Sequence, residues 1–153
     1  MWQGNFMTAD RVALHAKTFL ITGGSSGMGA EVARTLSSWG VHVMIACRSR
    51  SKGERLAETI LSRDQNACVT IFSEADTSDL HSMRSLAERG ASLDDVDALD
   101  GLILNAGIAQ RPYELSKQGY ELHCATNVLG HHLLLRKMLP DIAKSSFGRF
   151  VFA

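Results

Sequence analysis

An α/β fold built on one parallel sheet is predicted by three observations. Strand-like and helix-like segments alternate along 153 residues. The strands are short, apolar on both faces and rich in Val and Ile, which suits a sheet covered on both sides. The first strand runs directly into a glycine-rich turn that opens a helix. Strands separated by helices imply right-handed crossovers, and so an open, Rossmann-type doubly wound sheet. About five strands are expected, which leaves that sheet incomplete.

Each element has its own justification. Residues 1–17 mix polar, charged and apolar side chains and lack the apolar core of a signal peptide. They are read as a poorly ordered lead or short packing arm, so that the folded domain is 18–153. Strands are predicted at 18–22, 41–46, 67–73, 99–104 and 149–153. Helical spacing predicts helices at 28–39, 52–63 and 80–88, and a longer one over 118–144. Met28, Val32, Leu36 and Trp39 recur about one turn apart on the first. Leu122, Ala125, Leu129, Leu133, Met138 and Ile142 give the longest a broad apolar face. Gly40, Gly101 and Gly148 are read as turns. Asn127 falls in the middle of the longest helix, where asparagine is a poor choice because its side chain competes for backbone groups. An amide bonding a neighbouring backbone is the plain explanation.

Composition narrows the function. Sixteen basic and sixteen acidic residues balance, so no bulk charge points to nucleic acid or an anionic membrane. No apolar stretch is long enough to span a bilayer. Cys47, Cys68 and Cys124 are scattered, which argues against a disulfide or zinc framework and for a reducing compartment. The cytoplasm is the expected location. His131 and His132 are adjacent, but neighbours on a helix point apart and no third ligand stands at zinc-like spacing. Helix packing is the better reading, and no metal is expected.

The chemistry is concentrated in Thr22-Gly23-Gly24-Ser25-Ser26-Gly27-Met28-Gly29. Glycine allows a tight turn and close approach of a ligand. The helix start that follows offers unpaired N–H groups and a positive dipole end, which suit a phosphate. A nucleotide pyrophosphate site is the functional reading; a glycine turn that binds nothing is the competing one. The second strand ends in Cys47 and Arg48, with Arg50 close by. An NAD site would place Asp or Glu near there for the ribose 2′-hydroxyl. A guanidinium instead binds a 2′-phosphate bidentately. NADP is therefore favoured over NAD. Arg50 reads equally well as a solvated charge, and Cys47 as packing near the adenosine.

The T-G-x-x-x-G-x-G spacing, with Asn105-Ala106-Gly107 closing the fourth strand, resembles the short-chain dehydrogenase/reductase family. Ala46-Cys47-Arg48 and Asn127-Val128-Leu129-Gly130-His131-His132 are most similar to its retinol-dehydrogenase-like branch. The resemblance runs from Lys17 to Ala153. It implies that Thr22, Gly23, Gly27 and Gly29 shape the cofactor turn, with Ser25, Ser26 and Met28 lining the adenosine and pyrophosphate site. It implies that Asp76, followed by Thr77, holds the adenine amino group, although Asp76 also suits a cap for a helix starting near Ser78. Asn105, Ala106 and Gly107 match the loop beside the cofactor ribose. Asn127 matches the catalytic asparagine, which helps to hold a water and the active-site lysine.

In the family a hydride passes between the nicotinamide and an alcohol or carbonyl, and a tyrosine hydroxyl exchanges the proton. A lysine four residues later lowers that tyrosine's pKa, and an upstream serine orients the substrate oxygen. The serine follows the fifth strand and Tyr-x-x-x-Lys comes later still, whereas the sequence ends at Ala153. Tyr113-Glu114-Leu115-Ser116-Lys117 satisfies the string, but it precedes Asn127 and lies beside Pro112 in a predicted loop. It is not expected to be the catalytic pair.

The expected function is the NADP-binding N-terminal portion of such an oxidoreductase, inactive by itself. Alternatives are a non-catalytic NADP-binding or interaction module, or a truncated product that does not fold stably. Small-molecule substrates apply only if a further segment completes the site. A bare fifth-strand edge and an exposed helix face predict self-association.

Overall fold

The computed structural model describes residues 13–91, 98–109 and 112–153. Its sheet contains β1 (Thr18–Thr22), β2 (His42–Ala46), β3 (Val69–Phe72), β4 (Gly101–Leu104) and β5 (Arg149–Phe152), in the order β3-β2-β1-β4-β5. All neighbouring strands are parallel. The crossovers carry α1 (Gly27–Ser37), α2 (Arg50–Leu61) and α3 (Leu80–Ala91). Between β4 and β5 come α4 (Leu122–Cys124), a π-helical turn (Ala125–Leu129) and α5 (Gly130–Ile142). The predicted five-stranded doubly wound sheet is the observed one.

Alternating strand residues feed two cores, one on each side of the sheet. Leu20, Met44, Leu102 and Leu104 pack with Met83 and Leu86 of α3 and with Leu134 and Met138 of α5. Phe19, Ile21, Val43, Ile45 and Ile103 pack with Ala30, Ala33 and Leu36 of α1 and with Leu56 and Ile60 of α2. Burying one such Leu, Ile or Met contributes about 1.5–3 kcal/mol, so these strands require cover on both faces. β5 is the edge beyond β4, and Phe150 and Phe152 on it are 50% and 61% exposed.

Of the predicted lead, residues 1–12 lie outside the described residues. Leu14 packs against the α1–α2 core, and Lys17 pairs with Asp100 at 3.2 Å.

The structure departs from expectation in three places. Gly101 is the first residue of β4 and not a turn. It is glycine because the Phe19 ring occupies the space its side chain would need. Met28 does not belong to the buried stripe of α1: it is 73% exposed, and Ala30, Ala33 and Leu36 take the core positions. The longest helix begins at Leu122, later than predicted, because Gly119 turns the chain with φ +79° and Leu115 bridges Glu121. That helix is also interrupted by the π turn, whose extra residue rotates the following positions by about 100°. Leu134, Met138 and Ile142 are therefore buried, while Leu129 and Leu133 are only half-buried.

Candidate functional site

The strand order reverses between β1 and β4, and the site forms where their C-terminal ends separate. β1 delivers Thr22 to that edge. The chain then turns through Gly23 and Gly27, with φ +64° and +54°. A Cβ on Gly29 would stand 2.6 Å from both Asn105 Nδ2 and the Gly23 carbonyl, so only glycine fits. Ser26, the residue before α1, makes no side-chain cap. The first amide groups of α1 are thus left for an anion.

Thr22 joins this turn to the loop after β4. Its Oγ1 accepts from the Asn105 and Ala106 amides at 3.0 and 3.1 Å. Asn105 Nδ2 donates back to the Thr22 carbonyl at 3.1 Å. At the far end of the loop, Ile108 is held by Asn127, whose Oδ1 accepts from its amide and whose Nδ2 donates to its carbonyl. Asn127 lies in the π turn, so the helix irregularity and the asparagine share one purpose: presenting an amide side chain to an irregular loop.

At the end of β2, Cys47 is buried and its thiol is pushed up by that burial. Arg48 is exposed, and neither it nor Lys52 has an acidic partner among the described residues. Ser49 caps α2, its Oγ accepting from the Lys52 amide at 3.4 Å. Arg50 is engaged differently, with Nε 2.7 Å from Glu54 Oε1.

After β3, Asp76 Oδ1 accepts from Ser78 N and Ser78 Oγ at 2.9 and 2.8 Å. Oδ2 has no partner among the described residues. The cap of α3 falls to Asp79, whose Oδ1 accepts from the His81 amide at 3.0 Å. Asp76 orders the approach to that helix and keeps one oxygen available.

These groups surround a cleft of about 340 Å3. Gly23, Ser25, Ser26 and Met28 line it from the turn; Arg48, Asp76 and Thr77 line it from β2 and β3; Asn105, Ala106 and Gly107 close it from β4. Thr22, Gly27, Gly29 and Asn127 do not line it and act on its shape. Lys52, Ser49, Ser78, Ile108, Leu122 and Thr126 also line it and were missed. Lys52 was readable, four residues after Arg48 at the head of a helix. Leu122 and Thr126 carried no signal, because the irregular start of the long helix brings them in.

Tyr113 is 77% exposed, and Lys117 is committed to Asp79 at 2.7 Å. That ammonium holds the Asp79 carboxyl at about 2. Neither Tyr113 nor Lys117 lines the cleft. His131 is buried while His132 is exposed, and no cluster of three metal-binding side chains occurs among the described residues. No helix among them is long and apolar enough to cross a membrane.

A doubly wound sheet with a phosphate-shaped glycine turn at its switch point defines the class, a Rossmann-type α/β domain. The particular family follows from comparison: residues 17–153 match the short chain dehydrogenase family, and the chain belongs to it. Over 140 residues it is 39% identical to retinol dehydrogenase 12 of Bos taurus, covering 92% of this chain and 43% of that protein. Over 147 residues it is 40% identical to the chloroplastic short-chain dehydrogenase TIC 32 B of Brassica napus, covering 94% and 45%. The Pseudomonas aeruginosa RhlG/NADP active-site complex superposes with a TM-score of 0.74 at 26% identity, covering 91% of this chain and 54% of that one. The chain spans less than half the length of these curated relatives.

Proposed function

We propose that the cleft binds NADP(H), and that the chain is the cofactor-binding N-terminal portion of an alcohol or carbonyl oxidoreductase. The observation that carries this is the pairing of two uncommitted cations, Arg48 and Lys52, with the glycine turn across one cleft. Among the described residues that line the cleft at the end of β2 there is no carboxylate for a ribose 2′-hydroxyl, while a guanidinium and an ammonium suit a 2′-phosphate. The turn Gly23–Gly29 would receive the pyrophosphate, the open Asp76 oxygen the adenine amino group, and the loop Asn105–Gly107 the ribose. When bound, the nicotinamide supplies or accepts a hydride. The NADP complex of RhlG supports this cofactor class.

The chain's own residues bind and orient. Asn127 and Thr22 hold the ribose-side loop in place, and Met28 covers the turn from the solvent side. The one Tyr-x-x-x-Lys string, Tyr113 to Lys117, stands outside the cleft, and these 153 residues are proposed to bind without turning over. Small-molecule alcohols or carbonyls would enter only with further residues supplying the proton-transfer group. The free thiols of Cys47, Cys68 and Cys124 support a reducing compartment, for which the cytoplasm is our reading.

The test is direct titration. NADPH should bind more tightly than NADH, and Arg48→Asp should reverse that order. Equal affinities before and after would sink the cofactor assignment. Carbonyl reduction by the chain alone that Tyr113→Phe abolishes would overturn the inactive reading. An NADPH-binding chain that gains no turnover from any complementing segment would favour a non-catalytic binding or interaction module.

A further inference from the structure

The loop that closes the cleft is held at both ends by different elements. Thr22, at the end of β1, takes the Asn105 and Ala106 amides. Asn127, in the π turn, takes both main-chain atoms of Ile108. One side chain links the first holder to the helix that carries the second. His131, on α5 just after the π turn, places Nε2 2.9 Å from Thr22 Oγ1.

Proton counting sets the roles. The Thr22 oxygen already accepts from two amides, so its single proton is best given to His131 Nε2. The alternative acceptor, the Ile103 carbonyl, is 3.5 Å away. A nitrogen that accepts on one side leaves the N–H on Nδ1. His131 is 3% exposed, so water cannot substitute for the Thr22 bond. The Gly130 amide bonds to Ala125, five residues back, so the helical ladder is shifted just before His131.

We propose that His131 is a positioning residue for the cofactor site: by tying Thr22, at the end of β1, to the helix that continues from Asn127, it fixes the two supports of loop Asn105–Ile108 relative to each other. This rests on the NADP(H) reading of the cleft.

The test uses the whole chain and NADPH titration. His131→Phe removes the Thr22 bond and should weaken NADPH binding by about tenfold, the equivalent of one hydrogen bond. His131→Gln, which can still accept from Thr22, should recover most of that loss. Leu133→Ala, on the same helix and outside the circuit, should lower thermal stability without changing affinity. Hydrogen exchange at the Asn105, Ala106 and Ile108 amides should rise in His131→Phe and not in Leu133→Ala. If His131→Phe does not fold, Thr22→Val and the ring 15N shifts of the native chain decide: a protonated Nδ1 with a bare Nε2 is expected, and the opposite tautomer overturns the proposal. Native affinity in a folded His131→Phe overturns it too, as does equal loss in Leu133→Ala, which would make His131 mere packing. A native chain that ignores NADPH removes the cofactor reading itself, and the proposal with it.

Discussion

Asn127 grips Ile108 at both main-chain atoms: Oδ1 accepts from its amide at 2.9 Å and Nδ2 donates to its carbonyl at 3.0 Å. Both bonds lie near solvent, so each contributes modestly. Asn127→Ala should lower unfolding stability by about 1–2 kcal/mol and weaken NADPH binding. Asn127→Asp keeps the acceptor but turns a second oxygen toward the Ile108 carbonyl, and should not restore the loss. Urea unfolding measures the first effect; an unchanged midpoint for Asn127→Ala would contradict the clamp.

The two cleft cations should act on the cofactor's phosphate and on little else. Lys52→Ala is expected to weaken NADPH binding by about tenfold while leaving NADH unaffected, as loss of one charge-assisted contact requires. Arg50→Ala should change neither, because Arg50 is paired with Glu54 outside the cleft. Parallel titrations of both nucleotides decide the matter, and equal losses for NADPH and NADH in Lys52→Ala would remove Lys52 from the site.

Two glycines of the turn should fail for different reasons. A side chain on Gly29 meets Asn105 Nδ2 and the Gly23 carbonyl, groups with no room to withdraw. Gly29→Ala should cost about 1–3 kcal/mol and displace the loop. Gly27 has open space around it but φ +54°, so Gly27→Ala should cost only about 1 kcal/mol, from backbone strain. Thermal unfolding of the pair should show this order; the reverse order would contradict the packed turn.

His131 and Asp79 are two of the groups that make stability depend on pH, in separate windows. Burial lowers the His131 pKa below its ordinary 6.5. Below pH 6.5 the unfolded chain takes up a proton that the folded chain refuses, so stability falls as pH drops from there. Lys117 holds Asp79 down from 3.8 to about 2, and that contribution, complete above 3.8, disappears as pH falls toward 2. Melting temperature against pH should lose its upper slope in His131→Gln and part of its lower slope in Lys117→Met. Curves unaltered by either substitution would contradict these assignments.

The β5 edge should make the chain associate with itself. Phe150, Val151 and Phe152 are all about half exposed or more, on the strand at the edge of the sheet formed by the described residues. Size-exclusion chromatography at rising concentration should show larger species, and Val151→Lys should reduce them. A clean monomer at every concentration would contradict this expectation.

Local residue patterns determined the alternation of elements, the parallel sheet and the glycine turn, because strand apolarity, helical spacing and glycine conformation are properties of neighbours in the chain. Residue chemistry pointed to Arg48, and the family resemblance rather than any local pattern pointed to Asp76 and the Asn105–Gly107 loop; all of them line one cleft. Local patterns could not place Met28, whose helical spacing matched the core stripe although it sits in the first turn, above the cleft. They marked Asn127 as out of place without showing why. The reason is tertiary: a π turn and an irregular loop 19 residues away must meet before the amide has partners. Thr22 and His131, 109 residues apart, share a bond that no spacing rule connects. The sheet was legible because its rules are periodic; the supports of the site were not, because long-range hydrogen bonds leave no period in the chain.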